Sequence, residues 1–138
     1  MSSMKWAGSL TRLANYEVET LQKRLGEVVE RRLDAELRRT LLDAEAEGEA
    51  ENARSDPHAA MYHPQFVKGW RVRRDRLSAQ IEAIAAEEQG ARDALSRAFE
   101  ELKKYEHVLE ASKVAAARET ARRETAALDE LGLRAASR

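Results

Sequence analysis

The sequence predicts an all-α fold, a long antiparallel two-helix coiled-coil hairpin whose second helix is longer than its first. Composition is the first observation. Of 138 residues, 36% are charged and only 5% aromatic, and Ala, Glu, Arg and Leu dominate. That is the usage of long helices rather than of a wide globular core. The second observation is a pair of apolar stripes at helical spacing on either side of a segment marked by Pro57 and Pro64. The third is that hydrophobic and ionic patterns agree when the chain is folded back there. In one antiparallel register Leu77, Ile81 and Ala85 fall opposite Leu41, Leu37 and Leu33. The same register sets Arg31 against Glu87, Glu45 against Arg73, Glu47 against Arg71, and Asp43 near Asp75 and Arg74.

The chain reads as one hairpin domain over 1–138. Its first helix is expected over about 4–52, with Ser3 or Ser9 as a candidate N-cap. Its stripe runs Leu10, Ala14, Val18, Leu21, Leu25, Val29, Leu33, Leu37 and Leu41. Steps of four from Leu21 onward act like a stutter, which relaxes a left-handed supercoil. The turn is expected over about 53–64, because Asp56 and His63 each precede a proline and each proline suits a first helical position. The second helix is expected over about 65–131, with Gly132 as its C-terminal cap. Its seam alternates steps of four and three through Leu77, Ile81, Ile84, Glu88, Ala91, Leu95, Ala98, Leu102, Tyr105 and Leu109. Toward the termini the register drifts slightly, setting Leu25 with Ala91, Val18 with Ala98 and Ala14 with Leu102. Residues 111–131 then form an overhang without a partner in the first helix, with a sparse stripe of Val114, Ala117, Ala121, Leu128 and Leu131. Gly26 falls opposite Gly90 and Gly48 near Gly69, which is either tolerated noise or close backbone approach and bending.

Several function classes fall away. Basic and acidic residues balance at 24 and 25, so no single-sign surface marks a duplex nucleic-acid binder. Absence of cysteine excludes disulfides and thiolate zinc sites and fits a reducing compartment. No apolar run approaches the roughly 18 residues of a membrane span, and MSSMKWAGSL lacks a signal-like apolar stretch. A cytoplasmic location is the expectation. His58, His63 and His107 do not converge, so no metal site is expected. No glycine-rich phosphate loop occurs and a hairpin has no pocket to shift a carboxylate, so no catalytic residues, cofactor or small-molecule substrate are assigned.

Four features remain. Glu88 occupies a seam position near Arg31 and Arg32, where a paired polar residue fixes register. The run Lys68, Arg71, Arg73, Arg74 and Arg76 resembles a phosphate-binding patch but faces acids of the first helix once folded back. Tyr62, Phe66 and Trp70 recur every four residues near the turn, either packed over small facing residues or exposed as an interface anchor. Trp6 and Tyr16 invite the same argument at the other end.

MKWAGSLTRLANYEVETLQKRLGEVVERR at 4–32, RDALSRAFEELKKYE at 92–106 and ARRETAALDELG at 121–132 together resemble the FliJ family of flagellar export proteins. The resemblance extends over essentially the full length. It implies a non-catalytic stalk of the flagellar type III export apparatus, similar to the central stalk of rotary ATPases. The implied partners are the export ATPase, the cytoplasmic part of the membrane export gate and the export chaperones, with no nucleic acid and membrane association only through partners. Under that analogy the end bearing the termini enters the ATPase ring, making Arg118, Arg122 and Arg123 candidate contacts, and Tyr62, Phe66 and Trp70 are free for the gate. The same architecture in a virulence secretion system, a generic dimeric coiled-coil scaffold and a nucleic-acid-binding helical protein stay open as alternatives.

Overall fold

The computed structural model describes residues 2–137. Two helices account for all of them but Asp56 and Ser137, α1 (Ser2–Ser55) and α2 (Pro57–Ala136), of 54 and 80 residues. The fold is the expected all-helical hairpin with the longer second helix. Its turn is far shorter than the expected 53–64 segment: Asp56 alone separates the helices. Asp56 serves both. Its N–H donates to the Asn52 carbonyl at 3.0 Å, its carbonyl accepts from the Ala60 N–H at 3.0 Å, and its Oδ1 accepts the His58 N–H at 3.0 Å. That last bond is an N-cap, with Pro57 in the first helical position where its missing N–H costs nothing. A residue before proline is pushed out of the α region, so the chain breaks here. Pro64 does not start a helix but lies inside α2. Gly132 likewise lies within α2 rather than capping it, and α1 already includes Ser3 and Ser9, so Ser9 does not stand at its start. The capping reading of the Ser3 side chain lies outside the described residues.

The helices divide into two compact units, residues 21–94 and residues 2–20 with 95–137. In the first unit the turn brings α1 and α2 together antiparallel around Val28, Ala35, Ile81 and Ile84, with Leu77 against them. The seam of α1 runs Leu25, Val28, Arg32, Ala35, Arg39, Leu42 and Ala46, all buried or half-buried, in alternating steps of three and four. No stutter occurs. Leu33, Leu37 and Leu41 are instead 53%, 56% and 60% exposed, and Ala85, expected opposite Leu33, is exposed as well. The physical reason is that a seam is set by the heptad phase of the whole helix, and arginine can occupy it by burying its aliphatic stem while its charge reaches a partner. Arg32 does so: its Nε donates to Glu88 at 3.1 Å and its Nη1 to Glu36 at 3.1 Å. These bonds hold its guanidinium further above its ordinary pKa, the Glu88 bond contributing most.

Cross-helix ion pairs follow the predicted register. Arg31 meets Glu87 at 3.0 Å, Arg73 meets Glu45 at 3.0 Å, and Arg74 meets Asp43 at 2.9 Å. Arg24 adds a second contact to Glu87 at 3.3 Å. Glu47 and Arg71 form no ion pair. Exposed pairs of this kind contribute about 0.2–1 kcal/mol each, so apolar burial does most of the stabilising and the charges select alignment. A methyl group added at Gly26, Gly48, Gly69 or Gly90 would meet no atom of the facing helix within 4 Å, so these glycines mark no close approach of the two backbones.

In the second unit the buried residues are smaller: Ala7, Ala14, Val18, Ala98 and Leu102. The seam of α2 continues as half-buried Tyr105, Leu109, Ser112, Ala116 and Glu119. Met4 lines a shallow groove with Val108, Ala111, Ser112, Ala115, Ala116 and Glu119, so the start of α1 covers α2 beyond Ala111. The bare stretch starts after Glu119 instead, and every residue from 120 to 137 is exposed.

Candidate partner-binding surfaces

Near the turn, the three aromatic residues do not act alike. Trp70 is half-buried, its indole N–H donates to the Leu42 carbonyl at 2.9 Å, and the Arg74 guanidinium lies 5.7 Å from its ring centre. It therefore clamps α2 to α1. Phe66 is half-buried and stacks on His63 at 6.3 Å with an interplanar angle of 22°. His63 Nδ1 is shielded from solvent without a hydrogen-bond partner. Tyr62 is exposed, edge-on to the exposed His58 at 5.3 Å, and Met61 beside it is exposed as well. The expected stripe thus splits into one packing residue, one intermediate and one open. Tyr62 and Met61 form the part that a partner can reach without unpacking the hairpin.

Basic residues 68–76 are partly consumed within the molecule. Arg73 and Arg74 are bound to Glu45 and Asp43, whereas Lys68, Arg71 and Arg76 are exposed and take part in no ion pair among the described residues. That disposition disfavours a continuous phosphate-binding face, which needs several free cations on one surface. A feature missed in the sequence lies beside it. An open groove runs along the two helices, floored by Leu41, Leu42 and Leu77 and edged by Gln80, by Arg38 paired with Asp34, by Arg73 paired with Glu45, and by Arg76. The exposed stripe of Leu33 and Leu37 leads to it through Leu41. Placing Ala35 and Leu42 in the heptad, instead of every leucine, would have revealed it.

On the far part of α2, Arg118 is exposed, while Arg122 and Arg123 both reach Glu119, at 2.7 and 3.2 Å. Arg122 is the main cause holding the Glu119 carboxyl below its ordinary pKa. All three candidate arginines therefore remain on the surface, two of them already tied to a neighbour. Val114, Ala117, Ala121, Glu124, Leu128 and Leu131 follow alternating steps of three and four and so share one face. Leu128 and Leu131 are 68% and 59% exposed.

Among the described residues no group of His, Asp or Glu is arranged to hold a metal ion, and no helix is long and apolar enough to cross a membrane. No family profile matches the chain, and no solved structure matches it. The chain is, however, 56% identical over 133 residues to the flagellar FliJ protein of Caulobacter vibrioides, in each of two strains, covering 96% of both sequences. An identity of that size over nearly the whole length, joined to a helical hairpin with a protruding second helix, places this chain in the flagellar FliJ family.

Proposed function

We propose that this chain is a non-catalytic, stalk-like component of the flagellar type III protein export apparatus, lying in the cytoplasm at the inner face of the membrane through its partners. It binds the export ATPase ring through the far part of α2, with Arg118, Arg122 and Arg123 among the contacts. It binds the cytoplasmic part of the export gate through the turn, where Tyr62 is the reachable anchor, Phe66 a secondary one and Trp70 a support for the surface. Export chaperones are a third class of partner. The mechanism is mechanical coupling between bound proteins, with no bond made or broken in this chain.

One observation carries this reading: α2 stays helical to Ala136, and every residue from 121 to 137 is exposed. A helix of that length buries nothing of its own and is marginal in water, so it is built to be covered by something. The relatives are named as flagellar proteins, which supports the export apparatus as its setting. A pull-down of the flagellar export ATPase tests it, comparing the intact chain with a chain ending at Thr120. The truncated chain is expected to recover at least tenfold less ATPase while keeping its melting temperature. Equal recovery would remove the ATPase contact from this end.

A further inference from the structure

The groove between α1 and α2 in residues 21–94 and the bare segment of α2 have complementary chemistry. The groove offers an apolar floor of Leu41, Leu42 and Leu77, with Arg76 at its edge, exposed and in no ion pair among the described residues. The segment offers Leu128 and Leu131 in line with Glu124, spaced so that all three point the same way from the helix. Glu124 is also exposed and without an ion pair among the described residues. Ala127 and Gly132 stand on either side of the leucines, so the helix has narrow shoulders that let it approach two others closely.

We infer that the Glu124–Leu131 segment of a second copy of this chain docks in this groove, with Leu128 and Leu131 on the leucine floor and Glu124 on Arg76. Two surfaces of different kind are matched, so the contact is head-to-tail and each bound pair leaves one groove and one tail free. Association therefore builds open chains rather than a closed dimer. Eight residues of helix span only about 12 Å. Such a contact falls below the roughly 1,200 Å² of stable interfaces and is weak and reversible. Docking buries the stretch that the ATPase contact proposed above would use, so self-association and partner binding exclude one another. The inference does not depend on that contact, because it concerns the purified chain alone.

Sedimentation equilibrium of the full chain over a concentration series tests it. The mean mass is expected to climb above the 15.6 kDa of one chain as concentration rises. Leu128→Asp with Leu131→Asp should hold the mass at one chain. Arg76→Glu or Glu124→Arg alone should weaken association about tenfold, the cost of about 1.4 kcal/mol, and combining them in one chain should restore it. A chain with Leu41→Asp mixed with a chain carrying Leu128→Asp should give a one-to-one pair and nothing larger, since one intact groove meets one intact tail. Circular dichroism accompanies each variant. If an aspartate variant loses helicity, the charge swap between the exposed Arg76 and Glu124 decides. A single-chain mass at every concentration, leucine variants that associate like the parent, or a swap without recovery would each overturn the inference.

Discussion

The two units of this hairpin are built from the same alphabet and held by different means. Residues 21–94 pack Val28, Leu42, Ile81 and Ile84 and carry every cross-helix ion pair among the described residues. Residues 2–20 with 95–137 pack mostly alanine around Val18 and Leu102, and their ion pairs join neighbours on one helix. Branched side chains remove more apolar area from water than alanine does, so the turn-side unit is the stable one. Charges that pair across helices also specify alignment, whereas charges paired along one helix are indifferent to where it lies. Alignment within residues 21–94 is thus specified by charge, and the terminal unit has little such reinforcement of its own. A region meant to be reached by partners is the one with least of its own to bury.

Removing Ile84 probes that contrast most strongly. Ile84→Ala should cost about 3 kcal/mol in chemical denaturation, by lost burial and the cavity left behind. Amide hydrogen exchange in the unaltered chain should already be faster in 2–20 and 95–137 than in 21–94. Equal protection would break the comparison. Trp70→Phe keeps most of the ring and loses the bond to the Leu42 carbonyl, so it should lower stability by about 1 kcal/mol. Tyr62→Ala, on an open surface, should change it by less than about 0.5 kcal/mol. A reversed order would mean that Tyr62, not Trp70, clamps the turn. The smallest effect comes from salt. Raising ionic strength from about 0.1 M to about 1 M shortens the screening length from about 10 Å to about 3 Å. Exchange protection in 21–94 should fall by a few tenths of a kcal/mol, with no loss in the terminal unit.

Helical composition, the reversal near Pro57 and the seam of α2 were legible because each rests on a pattern repeated many times. The ion pairs of Arg31, Arg73 and Arg74 were legible too, since charges beside a seam pair in the same register whichever residues fill the seam. The α1 seam is hidden in the sequence because exposed leucines at steps of four imitate one, and Arg32 and Arg39 do not look apolar until their stems are counted. The expected turn is longer than the real one because Pro57 and Pro64 give the same local signal, although only Pro57 follows an aspartate able to cap. Among the candidate contacts, spacing could place Tyr62, Phe66 and Trp70 on one face. It could not show that the Trp70 N–H is already engaged, since that depends on which carbonyl the facing helix presents.

Asp56 leaves the chain no slack where it reverses. Each residue advances an α-helix by about 100°, so one residue gained or lost in either arm swings everything beyond it away from its mate. Only length changes that come in sevens keep the two faces meeting. Families of such chains can therefore lengthen or shorten by whole repeats while single insertions are purged, and the reversal point becomes the fixed origin from which every position is measured.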